Sequence, residues 1–272
     1  MSLFFQSEKC ASDKFPRLNT NIKNINYMAD ASACVKLVIV NSGSVNATIN
    51  GKSYTAQAGD ILLILPGEIH SFASDSSDVA ILNIPCNGDN DDTDINKCVS
   101  GNPVIKGSSV LSRELRDYIG IITKELSNKG PGYSYMAKGI AGVLVSSLIN
   151  SRAVRELTPD ELKKQEAEST LLMTVKEYIR ESYRENISLE STSAHCNLSL
   201  FYFSHLFKRI TGVTFYDYLT SYRLDKALDM LLENKKILNV ASECGFATVR
   251  TFNRSFKSFF GCSPSEYLSS NR

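Results

Sequence analysis

Short apolar runs separated by turn-forming residues fill the first hundred positions of the chain, a pattern typical of β-strands. Five runs rich in β-branched residues predict strands over 35–40, 45–49, 52–56, 60–65 and 79–84. Asn50 and Gly51 separate the second run from the third. Both residue types tolerate the positive φ angles of a two-residue hairpin turn. We therefore expect a small antiparallel barrel or sandwich over residues of about 20–100.

From residue 108 the spacing of apolar positions changes to the period of a helix. Leu111, Leu115, Ile119 and Ile122 form one stripe of a first predicted helix. The Gly-Pro-Gly sequence at 130–132 ends this pattern, and a second, more apolar helix is predicted over 133–150. Together they make a helical hairpin over about 108–150.

The second helix is apolar around much of its circumference, so another surface has to cover it. The barrel of the same chain and a second copy of the chain would cover it equally well. In the second case we expect Leu144 and Leu148 to lie at the seam of a homodimer.

Residues 152–169 are mostly polar and are expected to link two domains. Thr158, Pro159 and Glu161 have the spacing of a helix start inside this linker. The chain therefore divides into residues 1–151 with the barrel and hairpin, the linker 152–169, and a helical domain over 170–272. The predicted fold class is α+β with two domains.

The helical domain contains an internal repeat. Segments 207–219 and 256–268 align at an offset of 49 residues, which also pairs Ser193 with Ser242 and His205 with Arg254. In each copy a short helix, 189–196 or 237–244, leads through a turn into a second helix, 199–210 or 248–260. This spacing predicts two helix-turn-helix units. A helix over 215–233 joins them and spans roughly 28 Å, close to the roughly 34 Å between successive major-groove faces of DNA.

Charge favours nucleic acid as the partner of this repeat. The whole chain carries a net charge of +1, and the windows 197–216 and 244–265 contain no acidic residue. Each window covers one second helix, and the first holds Lys208 while the second holds Lys257. A surface that meets phosphate excludes carboxylates, whereas an ordinary solvated helix mixes both signs.

Cysteine and histidine usage argues against metal chemistry. The seven cysteines are scattered without a CxxC spacing, so we expect isolated reduced thiols, and three histidines are too few for a histidine-rich metal centre. We therefore expect no catalytic residue, cofactor or metal. The chain has no apolar stretch long enough for a membrane helix and begins without a secretory leader, which predicts a cytoplasmic protein.

Residues 175–268 resemble the DNA-binding domain of the AraC/XylS family of transcription regulators. The resemblance is carried by residues of both units: Leu189–Glu190, Asn197–Leu198–Ser199, Tyr202, Leu206–Phe207–Lys208, Thr211–Gly212, Tyr218–Leu219, Arg223–Leu224, Lys226–Ala227, Gly245–Phe246, Phe252, Arg254, Phe256–Lys257, Gly261 and Ser263–Pro264. It implies that DNA is contacted by Phe201, Ser204 and His205 in the first unit and by Val249, Arg250, Thr251, Asn253 and Arg254 in the second. Two departures are Thr192–Ser193, where the family usually has Leu-Ala, and His205, where arginine is common.

Residues 42–72 resemble the cupin-like sensor barrel of the same family, through Gly59-Asp60, Pro66-Gly67-Glu68 and His70. Metal-binding cupins add a His-x-His pair on an earlier strand, which this sequence lacks. Glu68 and His70 are therefore expected to be polar rim or turn residues. Four polar residues on or beside predicted strands are candidates for binding an effector: Tyr27, Lys36, Tyr54 and His70.

The resemblance implies a sequence-specific transcription regulator, more often an activator than a repressor. Its expected partners are double-stranded promoter DNA, a small-molecule effector, RNA polymerase and a second copy of the chain. Two alternatives remain open at this point. The first is a metal-dependent cupin enzyme with an appended DNA-binding domain, and the second is a regulator whose N-terminal half binds another protein.

Overall fold

Strands occupy the first part of the chain and helices the last, as the hydrophobic pattern predicts. The computed structural model describes residues 15–23, 26–74, 76–86, 94–233 and 236–270. The fold is α+β, with a boundary between two compact units at residues 169 and 170. The first unit holds the antiparallel sheets and a helical hairpin, and the second is helical.

Eight strands of the first unit form two antiparallel sheets that share one long strand, β3. The larger sheet has the order β1-β7-β3-β5-β9, and the smaller one has the order β2-β6-β3-β4. These eight strands are β1 (Arg17–Lys23), β2 (Asn26–Asp30), β3 (Cys34–Ile49), β4 (Lys52–Gln57), β5 (Ile61–Ile64), β6 (His70–Ala73), β7 (Ser77–Pro85) and β9 (Val104–Ile105). Strand β8 (Cys98–Ser100) lies outside both sheets. A short 3-10 turn, Ile95–Lys97, precedes β8.

The strand β3 corrects one sequence-based expectation. Segments 35–40 and 45–49 are predicted as separate strands, but they form one strand of 16 residues. A bulge between Val40 and Ser42 bends it where it leaves the larger sheet. Gly43 follows at φ 72°, and a Cβ there would lie 1.7 Å from the carbonyl oxygen of Ser76. The segment between residues 40 and 45, whose composition suits a turn, therefore forms a bend within one strand, and this strand belongs to both sheets.

The hairpin predicted at Asn50-Gly51 is confirmed. Both residues have positive φ angles, 49° and 75°, and Ile49 pairs with Lys52 directly across the turn. This two-residue turn sets the register of β3 against β4, so that Tyr54 lies opposite Ala47.

The helical hairpin is also confirmed, as α1 (Val110–Asn128) and α2 (Tyr133–Asn150). Its buried residues pack with alternate residues of the larger sheet, including Leu37, Leu63 and Leu82. Leu144 and Leu148 are fully buried in this core, so the expectation that they form a dimer seam is wrong for both. The barrel of the same chain covers the apolar side of α2.

The segment expected as a linker is structured. Strand β10 (Val154–Glu156) pairs with β8, and α3 (Pro159–Ser182) begins directly afterwards. The helix start predicted at Thr158 is confirmed, because its backbone N–H donates to the Glu161 carboxylate while its hydroxyl accepts from the Glu161 N–H. Arg155 holds the same carboxylate through two hydrogen bonds of 2.9 Å.

The second unit contains the two predicted helix-turn-helix pairs. The helices after α3 are α4 (Leu189–His195), α5 (Leu200–Thr211), α6 (Phe215–Leu232), α7 (Ile237–Glu243), α8 (Val249–Phe260) and α9 (Pro264–Ser270). One aromatic cluster joins Phe203 and Phe207 of α5 to Phe215 and Tyr218 of α6. A second core packs the C-terminal half of α6 against α7 and α8. Helix α6 therefore supports both pairs.

Cysteine chemistry differs in part from the expectation. Cys34 is disulfide-bonded, whereas Cys86, Cys98, Cys196, Cys244 and Cys262 are free thiols. The prediction that all cysteines are isolated and reduced is therefore wrong for Cys34. Spacing alone missed the bond, because a disulfide depends on proximity in the fold.

No helix in the described ranges is long and apolar enough to cross a membrane. Within the same ranges, no three His, Cys, Asp or Glu side chains are grouped so as to hold a metal ion.

Candidate nucleic-acid interface and effector site

The two helix-turn-helix units have the same hydrogen bonds in their turns, which identifies equivalent residues. In the first unit the N–H of Leu198 donates to the carbonyl of Ser193, and in the second Phe246 donates to Ala241. The offset is therefore 48 residues in the first helix of each pair. In the second helices the offset is 49, because the second turn contains one more residue. The predicted match of Ser193 with Ser242 is wrong, since Ser193 corresponds to Ala241.

The second helix of each unit presents one face to solvent and buries the other. Phe203 and Phe207 of α5, and the equivalent Phe252 and Phe256 of α8, are fully buried. Of the predicted DNA contacts, Phe201, His205, Lys208, Arg250, Asn253, Arg254 and Lys257 are exposed, whereas Ser204, Val249 and Thr251 are half-buried. In each helix, predicted contacts stand one and two turns apart along the outward face.

Each of these helices begins at a capping side chain and ends at a glycine. Ser199 caps α5 and Thr248 caps α8, each accepting a hydrogen bond from a backbone N–H three residues later. Gly212 and Gly261 end the two helices in the left-handed conformation. Because the two helices begin at equivalent hydroxyl caps and end at equivalent glycines, their outward faces occupy equivalent positions in the two units.

The outward faces are positively charged. Within the described part of the chain, neither Arg250 nor Arg254 forms an ion pair, so their guanidinium groups are available to an external partner. A guanidinium donates through a planar fork that matches phosphate oxygens and the major-groove edge of guanine. These two guanidinium groups can therefore contact both the phosphate backbone and the bases of DNA.

The departure at Thr192–Ser193 does not disrupt the first unit. Both side chains are buried, and their hydroxyls donate to the carbonyls of Ser188 and Glu190 at 2.8 and 3.0 Å. Thr192 corresponds to Val240 and Ser193 to Ala241, so the paired residues are similar in shape. Because both hydroxyls form hydrogen bonds within α4 and its cap, the apolar packing of the turn is retained.

Arg223 of α6 is an anchoring residue that charge patterning does not single out. Its guanidinium donates to the carbonyls of Tyr183 and Glu185 at 2.8 and 2.7 Å, which ties the segment after α3 to α6. The same Tyr183 carbonyl lies 2.4 Å from where a Cβ on Gly245 would be. The resemblance includes Arg223 and Gly245, but only the fold shows that they hold one segment between them.

The barrel contains a buried polar pair that the sequence separates by 34 residues. The Lys36 amine lies 2.7 Å from His70 Nε2, and His70 Nδ1 lies 2.8 Å from the carbonyl oxygen of Glu68. Both side chains are buried and His70 is the first residue of β6, so the expectation of a polar rim or turn position is wrong for His70. The His70 ring also contacts the ring of Phe72, at 5.4 Å between centroids. Two predicted effector residues are thus brought together inside the barrel.

Glu68 lies in the β5–β6 turn, one of the two positions expected from the sequence, but it is buried and not at a rim. Its carboxylate accepts hydrogen bonds from the Leu65 N–H, the Asn50 amide and both the N–H and the hydroxyl of Ser100. Burial raises the pKa of Glu68 from 4.5 to about 7, although these donors oppose the shift. The carboxyl connects the β5–β6 turn, the Asn50 hairpin and β8.

The other two predicted effector residues lie on neighbouring strands. Tyr54 is half-buried on β4 and stands opposite Ala47, which pairs with Phe72 on its other side. Among the described contacts, none joins Tyr54 to Lys36 or His70. The backbone of Tyr27, in β2, pairs with that of Phe72, in β6, and the Tyr27 side chain lies outside the described part of the chain.

Two family models match this chain. The model described as an AraC-like ligand binding domain matches residues 35–132, and the model described as a helix-turn-helix domain matches residues 192–270. Together they cover well over half of the chain: the first spans β3 to α1, and the second spans the double helix-turn-helix. The chain belongs to the AraC/XylS family of transcription regulators.

Curated relatives are also regulators. The chain is 29% identical over 135 residues to the transcriptional regulatory protein HptR of Staphylococcus aureus, which covers 47% of this chain and 54% of HptR. It is 27% identical over 175 residues to the uncharacterized HTH-type transcriptional regulator YijO of Escherichia coli, covering 59% of this chain and 61% of YijO. The chain thus spans little more than half the length of the curated relatives it matches.

Among solved structures, the fold is similar to that of ToxT from Vibrio cholerae with an unsaturated fatty acid bound. The TM-score is 0.51 at 19% identity, over 94% of this chain and 95% of ToxT. The similarity concerns the fold alone.

Proposed function

We propose that this protein is a transcription activator that binds promoter DNA through α5 and α8 and senses a small molecule in its barrel. The observation that carries the DNA-binding part is the pair of equivalent helices whose outward faces are exposed, basic and free of acids. Helix α6, of 18 residues, is about 27 Å long. One chain could therefore engage adjacent major grooves, with some bending of the DNA.

The proposed DNA contacts are Phe201, Ser204, His205 and Lys208 in α5 and Val249, Arg250, Thr251, Asn253, Arg254 and Lys257 in α8. The test is selection of binding sites from a random duplex library by the full chain, followed by affinity measurements. Arg254→Ala should weaken binding to the selected site by about 1–3 kcal/mol and relax its sequence preference. As a control, Arg180→Ala removes an arginine on α3 that pairs with Glu177. This variant should keep both the affinity for the selected site and the sequence preference.

Regulation is proposed to begin at the buried Lys36–His70 pair. An amine within hydrogen-bond distance of an imidazole, among buried apolar side chains and close to the buried Asp30, can orient a small organic ligand by one polar group. Tyr27 and Tyr54 on the adjoining strands are proposed to complete the site. A thermal-shift screen of sugars, aromatic compounds and carboxylic acids (fatty acids among them, because ToxT binds one) tests this with the full chain. A ligand of this site should lose its shift in Lys36→Met.

The effector is proposed to change DNA affinity by favouring one arrangement of the protein. Such coupling is typically worth about 1–3 kcal/mol, so the effector should modulate DNA binding without abolishing it. Activation further requires RNA polymerase as a partner, which transcription in vitro from the selected site would reveal as increased product. A barrel that binds no small molecule, together with control by a protein partner, would contradict the sensing proposal.

A homodimer is proposed to form through the exposed side of the helical hairpin. An open groove of about 440 Å³ lies between α1 and α2 and is lined by Val110, Leu111, Glu114 and Val143, among others. Val110 and Val143 expose apolar side chains there. A second copy would bury both and would place two DNA-binding units on one promoter.

A further inference from the structure

The two helices proposed to enter the major groove differ in chemistry at equivalent positions. The offset of 49 pairs Phe201 with Arg250 and His205 with Arg254, and all four side chains are exposed. The buried faces of the same helices are alike, with phenylalanine at both core positions. The fold therefore presents two faces that match in position but not in the groups they offer to DNA.

The outward face of α5 begins with an unusual exposed apolar group. Phe201 is 76% exposed, and its neighbours Leu200 and Tyr202 are 41% and 55% exposed. The Phe201 ring contacts the His205 ring, at 4.3 Å between centroids, so the two form an aromatic ridge one helical turn long. An exposed apolar ring of this size marks an interaction site, and its place on the outward face of α5 puts it where DNA is proposed to bind.

The outward face of α8 offers hydrogen-bond donors instead. Arg250, Asn253 and Arg254 are exposed within the first two turns after the Thr248 cap. An arginine can donate twice to O6 and N7 of guanine, and an asparagine can pair with N6 and N7 of adenine. In the major groove, the base-edge group that apolar and aromatic side chains contact is the C5-methyl group of thymine.

We propose that the two helices recognise different bases: α5 contacts thymine methyl groups through Phe201, supported by His205, and α8 contacts guanine through Arg250 and Arg254. The operator then consists of two unlike halves, one rich in thymine and one containing guanine. A single chain consequently binds its site in one orientation. This inference rests on the proposed function, because it specifies what the same DNA-binding faces recognise.

The experiment uses the full chain and the site selected from a random duplex library. Replacing one thymine at a time by deoxyuridine removes only the methyl group. At a contacted thymine, we expect affinity to fall about fourfold, the effect of leaving one methyl unburied. Replacing a contacted guanine by 7-deazaguanine removes the N7 acceptor and should weaken binding about tenfold.

Variants assign each effect to a helix. In Phe201→Ala the deoxyuridine effect should disappear while the 7-deazaguanine effect remains. In Arg254→Ala the deoxyuridine effect should remain, and the 7-deazaguanine effect should disappear only at the guanine that Arg254 contacts. Met173→Ala removes another largely exposed apolar side chain, from α3, and should retain both effects. Phe201→Arg combined with His205→Arg should shift selection in the first half from thymine to guanine. Because these side chains are exposed, the variants should keep the unfolding temperature of the parent.

The outcomes separate this inference from the proposed function. Two results would overturn the inference but leave sequence-specific binding intact. In the first, deoxyuridine at every thymine of the selected site leaves the affinity unchanged. In the second, deoxyuridine lowers the affinity of Phe201→Ala by the same factor as that of the parent. Selection that yields no preferred sequence at all would overturn the proposed function itself.

Discussion

Asn197 and Gly245 occupy the same position in the two helix-turn-helix turns, and both have left-handed backbones, with φ angles of 55° and 78°. The N–H of Asn197 donates to Ala194 and that of Gly245 to Ser242, which are equivalent carbonyls. Asn197 is exposed, whereas the Tyr183 carbonyl closely approaches Gly245. The same turn therefore accepts asparagine in one unit but needs glycine in the other.

This difference predicts that substitutions at positions 197 and 245 change the free energy of unfolding by different amounts. Gly245→Ala should destabilise the second unit by about 1–3 kcal/mol, because the left-handed conformation is strained and the new Cβ meets the Tyr183 carbonyl. Asn197→Gly should change stability by less than about 1 kcal/mol, since asparagine already tolerates this conformation and glycine adds flexibility to the unfolded chain. Urea unfolding followed by circular dichroism measures both. Equal losses would contradict the role of the Tyr183 contact.

The hydroxyls of Thr192 and Ser193 should be dispensable for stability. Replacing both residues by their equivalents, Thr192→Val with Ser193→Ala, removes each hydroxyl while keeping the apolar shape. We expect a free energy of unfolding equal to the parent's or up to about 1 kcal/mol higher, because buried polar groups are exchanged for apolar ones. Thr192→Ala, which also leaves a cavity, is the control and should be less stable than the double variant. A loss of more than about 2 kcal/mol in the double variant would show that the hydroxyls are required.

Lys208 and Lys257 occupy equivalent positions and should contact phosphate, not bases. Each substitution by alanine should reduce the slope of log affinity against log salt concentration by about 0.9. Affinity should fall by the same factor on the selected site and on random duplex, because phosphate contacts carry no sequence information. Filter binding at several salt concentrations measures both quantities. A change in base preference at either half of the site would argue against this assignment.

Glu68 should make the stability of the barrel depend on pH. Its pKa is raised by burial from 4.5 to about 7, so between these values the folded protein binds more protons than the unfolded chain. The free energy of unfolding should therefore fall by about 3 kcal/mol as the pH rises from 4.5 to above 7. Chemical unfolding of the full chain at pH 5 and pH 8 measures the difference. Glu68→Gln cannot titrate and should flatten this dependence; an unchanged dependence would point to another group.

The dimer proposal is tested on the exposed side of α2. Val143→Asp places a charge in the groove between α1 and α2 and should give monomers in sedimentation without changing the unfolding temperature. Leu144→Asp, one residue further along, buries a charge in the core and should unfold the barrel unit instead. If Val143→Asp still sediments as a dimer, the interface lies elsewhere.

Sequence patterns are sufficient for features that depend on residues close together in the chain. Helix periodicity, the Asn50-Gly51 turn and the Thr158 helix start depend on residues within four positions of each other, and all three were predictable. The Ser193–Ser242 match was wrong because one inserted residue in the second turn changes the offset, which a single alignment at 49 does not show. The Asn-Ser-Gly-Ser segment at 41–44 was equally ambiguous, since its composition suits a turn or a bulge.

The sequence by itself determined the family, the two helix-turn-helix units and the residues available on their outward faces, because these follow from local spacing, caps and the distribution of charge. Only the tertiary structure decided which polar residues meet. Lys36 reaches His70, and Glu68 reaches Ser100, through strand pairings between distant segments. It also decided that Leu144 faces the barrel and that Gly245 lies against Tyr183. Such contacts depend on strand register and on how elements pack, which a one-dimensional pattern does not contain.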